Sequence, residues 1–520
     1  MGNVAFESMP SNIRTSLFFA EFNAGAAPYN STSRHVLIAH AKAGYPAVGG
    51  LNELGGGNPS NLFGLGSMAA DMALYAREHD PLGAISVLVV AEPTGDKASA
   101  TVTFAGPATA GGTFTRYIAG QAVSVAVAVG DTAASVAAAF KAAVDAGYTQ
   151  FNLRMGYPVT AAVNSAVVTL TAVHNGSYGN DIRIESALQG ENDPAGITVT
   201  YSGGTAASTV NSAYLLGGGS GEVDMAAALA RLGPVNAEWI SGPWASTAQL
   251  NASQTFLANS GSGRWAPTVQ QGGHYITARP GTLSELTAFG AARNDPHATI
   301  LGIRGMPAAP WVVAAAVGGV VARSKNLGAP LSQATEIARP LQTIALSGIL
   351  APYAPSSYWA RADRESLYRN GIAAYTVDAA KTVRLERLVT TYQRNPYDTP
   401  DTTWLDIETL AISQYVGRYM RHRVESLFPR CVLVDENPNN NQGVVTTDAL
   451  RAANIHAYTE LAGASLVENV ALFAKYLIVE RDSDPNRVNS FLPTDVANQF
   501  RVFAANITIY TQMTDALLNG

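Results

Sequence analysis

The spacing of apolar residues changes several times along the chain, and each change marks a different kind of element. "RHVLIAHA", 34–41, and "AISVLVVA", 84–91, are nearly continuous apolar runs. Short runs of this kind fit strands covered on both faces, and the second reads as a central parallel strand. Between them, "GLGSMAADMALYAREHD" clusters Met68, Met72, Leu74 and Tyr75 at helical spacing. The α/β rhythm resumes at "GEVDMAAALARLG", with strand candidates in "AEWISGPW", "GHYITARPG" and "ATILGIRG". "TLSELTAFGAARN" and "PWVVAAAVGGVVARS" are helix candidates, the second short, apolar and buried. Strands alternating with helices predict a mostly parallel sheet covered on both faces.

From Glu92 to about residue 213 the texture differs. "ATVTFAG", "TFTRYIAG", "AVSVAVAV", "AVVTLTAVH", "DIRIESAL" and "ITVTYSG" read as strands, and "TAASVAAAFKAAVDAG" as one helix from a Thr132 cap to Gly147. This β-rich segment, 92–213, interrupts one α/β domain made of 31–91 and 214–360. Charge rises after about 360. "RLERLVTTYQRNPYDTP" alternates like a strand and ends in a polar turn. A long amphipathic helix follows, with Thr403 as the expected N-cap, Asp406 three residues on, and Leu405, Ile412, Tyr415 and Tyr419 on its apolar face. Arg418, Arg421, His422 and Arg423 gather near its C-terminal end, where the helix dipole favours cations. They read either as solvating caps or as a basic docking surface. The α+β region 361–499 ends in "VENVALFAKYLIVERD", a helix then a strand, and 500–520 alternates again, with Ile507 and Ile509 facing one way. "IRTSLFFAEFN" gives a second candidate strand inside an arm and linker spanning 1–30.

Composition narrows the function classes. A chain of 520 residues with only 14% charged residues can bury large cores and presents a low-charge surface that suits contact with other protein. A net charge of −6 gives no clustered basic face for nucleic acid. The single cysteine, Cys431, rules out an intrachain disulfide and is expected to be a buried apolar thiol. No signal peptide, myristoylation pattern or membrane-spanning run is expected.

Catalytic chemistry finds little support. "GLGSMA", 64–69, matches G-x-G-x-x-A and opens a helix, but "NELGGGNPSNLF" before it is no strand. It reads as a dinucleotide loop, or as a flexible loop allowing close helix packing. "GGGSGEVD", 217–224, lacks the Lys-Ser/Thr of a P-loop. His35 and His40 have opposite parity on their strand, so they are expected on opposite faces. "ERDSDPNR" lacks the glycine and terminal Glu of a calcium loop. No cofactor or metal is expected.

Three segments carry a resemblance. "VAFESMPSNIRTSLFFAEFNAGAA" resembles the N-terminal signature of contractile tail sheath proteins of the phage Mu type, departing at "RTSLFF", where relatives often have Pro-Gly after the Arg. "RLVTTYQRNPYDTPDTTWLDIETLAISQYVGRYMRHRVESLF" and "DPNRVNSFLPTDVANQFRVFAANITIY" are similar to the family's core and C-terminal signatures. The resemblance implies a multidomain α/β protein: a subtilisin-like sheath domain without protease residues, a β-rich inserted domain lying outward, and a C-terminal sheet completed by neighbouring subunits' arms. It implies a non-enzymatic subunit of a helical homopolymer of usually six-fold rings. That polymer would surround a tail tube protein and meet baseplate and tail terminator proteins, in a virion tail assembled in the host cytoplasm. It implies no nucleic-acid partner and no membrane insertion. The implied arm residues are Ile13, Leu17, Phe19, Phe22, Val502, Ile507 and Ile509; the arm-accepting strand carries Leu388, Thr390 and Tyr392; Arg418, Arg421 and Arg423 face the tube. The competing readings are a cytosolic α/β enzyme using the Gly64 loop, and a different self-assembling coat or tube protein.

Overall fold

The computed structural model describes residues 33–46, 48–439 and 441–509. At its centre is a six-stranded sheet in the order Ala298–Ile303, His274–Pro280, Trp239–Ser241, Arg34–Ala39, Ala84–Val89 and Leu51–Glu53. The first five strands run parallel and the last is antiparallel. The continuous apolar runs become strands because helices cover them: Val36, Leu37, Ile38, Val87 and Leu88 are fully buried. Met68–His79 and Pro310–Ser324 lie side by side on the sheet. The Gly318–Gly319 pair lets the layers close up. A Cβ at Gly318 would lie 2.1 Å from Ser241 Oγ, and one at Gly319 would lie 2.6 Å from Ala76 O on the neighbouring helix.

Residues 99–215 build two antiparallel sheets. One has the order Thr198–Ser202, Ser99–Ala105, Val167–Ala172, Val159–Asn164; the other, Thr205–Ser208, Ala213–Leu215, Arg183–Glu185, Gly112–Ile118, Gln121–Val127. The helix Ala133–Ala146 packs on them, with Thr132 Oγ1 accepting from Ser135 N and Gly147 as C-cap. Phe104, Phe114 and Phe140 meet there at centroid distances of 5.3–6.0 Å. This unit is tied to the central layer by buried polar contacts. His174 Nε2 accepts from Met68 N at 3.1 Å, and its Nδ1 meets Glu92 Oε1 at 2.6 Å. Gln121 Nε2 donates to Tyr75 Oη at 2.9 Å.

A three-stranded sheet, Ala345–Leu350, Thr382–Arg387, Ala374–Val377, extends the central one through Ala373, whose N–H and carbonyl bond Ile300 O and Gly302 N. The helices Ile407–Leu427, Thr447–Gly463 and Val470–Tyr476 and a hairpin, Ile478–Arg481 with Val488–Phe491, complete the described chain. No helix among the described residues is long and apolar enough to cross a membrane.

Several expectations need correction. The strand read through Gln393 ends at Arg387, because the next residues leave the ladder: Thr390 N donates to Leu405 O and Thr391 N to Ala298 O. The long helix is not capped by Thr403, whose N–H and hydroxyl both go to Asp401 Oδ1. It starts one turn later, from Asp406. Cys431 is half-buried rather than buried, because it follows the helix end in an open turn. Residues 501–509 form no strand within the described chain.

Candidate subunit interface

The three arginines expected at a tube surface have different fates. Arg418 turns inward: its Nη1 lies 2.9 Å from Glu238 Oε1, a carboxylate with no solvent exposure. Arg423 pairs at 3.2 Å with Glu460 of the Thr447–Gly463 helix, where Tyr419 Oη also donates. Only Arg421 stands out from the surface, 59% exposed and paired with Glu425 one turn along its own helix. Charge periodicity cannot separate these cases, because the carboxylates that claim Arg418 and Arg423 lie far away in sequence.

Leu388, Thr390 and Tyr392, expected on an arm-accepting strand, are buried. Thr390 Oγ1 donates to Trp404 O, and Tyr392 Oη to Asp401 Oδ2. The Thr382–Arg387 strand just before them is flanked on both sides, so its own edges are filled. Open edges appear instead at the Ile478–Arg481/Val488–Phe491 hairpin, whose strands pair with each other and with no further strand among the described residues. Its turn is rigid: Asp482 Oδ1 accepts from Asp484 N, Asp484 Oδ1 from Asn486 N, and Asp482 N donates to Arg487 O. Backbone N–H donation from Asp484 and the Asn489 amide hold the Asp482 carboxyl down at about 2. The signal was present in "LIVERDSDPNRVNSF", two alternating runs around an Asp/Pro/Asn turn. Leu472, Tyr476, Ile478 and Phe491 leave an exposed apolar surface on the hairpin and the helix before it.

The arm residues Ile13, Leu17, Phe19 and Phe22 lie outside the described residues. Val502, Ile507 and Ile509 are described and are more than three-quarters exposed, together with Phe503. Exposed apolar stretches of this kind are candidate contact surfaces.

The Gly64 loop is fully occupied by protein. Gly64 and Gly66 take positive φ, and a Cβ on Gly66 would lie 2.2 Å from Tyr157 O. The N–H groups that open the following helix go to His174 Nε2, His40 O and the Ser67 hydroxyl. A pyrophosphate needs those donors. His35 bonds Ser241 Oγ at 2.8 Å, and His40 sits beyond the strand end with its ring 5.5 Å from that of His174. No group of three or more His, Cys, Asp or Glu among the described residues is arranged to hold a metal.

Comparison with known proteins decides the family. Residues 218–391 match the phage tail sheath protein central domain, and residues 399–510 match the phage tail sheath C-terminal domain. The Mu-like prophage FluMu tail sheath protein of Haemophilus influenzae is 32% identical over 515 residues, covering 96% of this chain and 98% of that protein. The chain belongs to the phage tail sheath family. Two solved sheath tail proteins align along most of their length. One, from Desulfitobacterium hafniense, has a TM-score of 0.47 at 14% identity, covering 93% of this chain and 97% of that one. The other, from Listeria innocua, has a TM-score of 0.45 at 13% identity, covering 91% and 93%. Within the family match, the C-terminal domain holds the long helix, the open-edged hairpin and the exposed segment together. The β-rich unit at 99–215 falls outside both matched ranges.

Proposed function

We propose that the chain is the structural subunit of a contractile sheath. It polymerises as stacked, usually six-fold rings around a tail tube and contracts to drive that tube through a bacterial envelope. One observation carries the reading: among the described residues, an apolar segment without a strand partner lies in the same chain as a hairpin whose two outer edges pair with no further strand. A free edge is a template for a strand from another chain. The hairpin replaces the 388–392 stretch as the acceptor of neighbouring arms, Val502–Ile509 being one such arm and residues 1–30 the other. Each shared backbone hydrogen bond contributes about 1 kcal/mol net, so a few per arm, multiplied along a lattice, hold a polymer together. Backbone pairing depends little on side chains, so it persists while subunit bodies rotate. Extended and contracted lattices are then two packings of one chain, the first kinetically trapped.

Arg421 is the member of the basic cluster left available to a tube protein, and baseplate and terminator proteins bound the lattice at its ends. The β-rich unit lies outward, away from the tube. Electron microscopy of the purified chain, intact and cut after Arg501, tests the reading. The intact chain forms long tubes or rings, and the cut chain stays dispersed. Tubes of normal length from the cut chain would contradict strand sharing by the C-terminal arm.

A further inference from the structure

Both ends of the body are pinned to one helix by buried carboxylates. At the start of the first strand, Arg34 N donates to Glu238 Oε2 at 2.7 Å. The other oxygen of that fully buried carboxylate meets Arg418 of the Ile407–Leu427 helix. At the C-terminal exit the pattern recurs. Phe500 and Val502 are 75% and 76% exposed, yet the Arg501 side chain between them is only 13% exposed. Its Nη2 lies 2.9 Å from Glu408 Oε2 and 3.2 Å from Asp406 Oδ1, in the first turn of the same helix. Arg387 grips Asp406 through two parallel bonds, and Leu341 N donates to the other Glu408 oxygen. The two attachment points stand about 15 Å apart along a single rigid helix.

We propose that Arg501 and Glu238 are positioning residues for assembly: they fix where, and in which direction, the two arms leave the body, with the Ile407–Leu427 helix as their common strut. The partner is a second copy of this chain. The inference rests on the strand-sharing reading above. An arm attached at a fixed angle reaches its neighbour with little further ordering, whereas one released at its root must be ordered on binding. A pivot shared by both arms also carries the turning of one neighbour to the other through one helix.

The test compares the full chain with Arg501→Gln, Arg501→Lys and Glu238→Gln. Sedimentation gives the concentration at which tubes form, and hydrogen exchange on unassembled chains follows the two exits. Arg501→Gln is expected to raise the assembly concentration about tenfold, the equivalent of roughly one rotamer-rich segment newly ordered on binding. Backbone exchange near 498–503 accelerates, while the melting temperature moves by less than about 3 °C. Arg501→Lys keeps a charge that reaches one carboxylate and falls between the two, and Glu238→Gln loosens the strand start at 34–36 instead. Unchanged assembly and exchange in Arg501→Gln overturns the anchor. If the chain cut after Arg501 assembles normally, strand sharing by the C-terminal arm fails, which is a separate result.

Discussion

At the scale of single residues, buried charge decides what a side chain can do. Arg418 and Arg421 are three positions apart on one helix and look alike in sequence, but only Arg418 faces a carboxylate shut off from water. Removing one partner of a buried pair leaves the other charge uncompensated. Arg418→Ala should therefore cost about 3 kcal/mol. Arg421→Ala, losing an exposed pair with Glu425, should cost less than about 0.5 kcal/mol. Denaturant midpoints of the two variants check the contrast, and equal midpoints would refute the inward assignment. Asp71 gives a pH signature. It is buried on the Met68–His79 helix beside Trp311 Nε1 and Tyr148, and burial pushes its carboxyl up to about 7 against the lowering pull of those donors. A raised carboxyl binds its proton more tightly when folded, so its contribution is complete below the ordinary carboxylate range and fades as pH climbs towards 7. The stability of Asp71→Asn, which stays neutral, relative to the parent should rise between pH 5 and pH 8 by on the order of 2–3 kcal/mol. Melting curves at the two pH values decide this.

At the scale of elements, close approach matters more than propensity. The Pro310–Ser324 helix carries two adjacent glycines, which intrinsic helix preference disfavours. They are tolerated because one faces the sheet and the other faces the neighbouring helix, each where a Cβ would collide. Gly319→Ala should thus destabilise by about 1–3 kcal/mol, although alanine is the better helix former, because Ala76 O belongs to a backbone that cannot give way. Thermal denaturation reads the sign directly, and a gain in stability would show that the two helices are free to separate. The same rule explains why the long helix begins at Asp406. The helical pattern extends back towards Trp404, but the Trp404 and Leu405 carbonyls are bound by the Thr390 hydroxyl and N–H.

At the scale of the whole molecule, the C-terminal part of the described chain carries exposed apolar surface: a hairpin without a further strand partner among the described residues, exposed Leu472 and Tyr476, and an apolar segment whose Arg501 pairs with Glu408. If a second copy covers that surface, apparent stability belongs to the assembly and follows mass action. Calorimetry across a hundredfold concentration range, on the order used to resolve such linkage, should show the melting temperature rising with concentration for the intact chain and staying flat for one cut after Arg501. A flat response in both would place that surface outside assembly.

The sequence by itself determined the elements whose causes are local. The Thr132-capped helix closed by Gly147 and the hairpin turn at Asp482–Arg487 depend on residues within a turn or two of each other, and the apolar runs at 34–39 and 84–89 carry in their own composition the mark of strands to be covered on both faces. It also determined the family, because the signatures lie at both ends and in the core. Tertiary structure alone decided the endings and the partners. The strand stops at Arg387 because Leu405 and Ala298 take up the backbone of Thr390 and Thr391, Arg418 faces inward because Glu238 lies 180 residues away in sequence but beside it in space, and the hairpin meets no further strand among the described residues. Periodicity tells which face of an element is apolar. It does not tell which distant carboxylate will share that face's boundary, since burial sets the strength of a charge pair and burial exists only once the chain has folded.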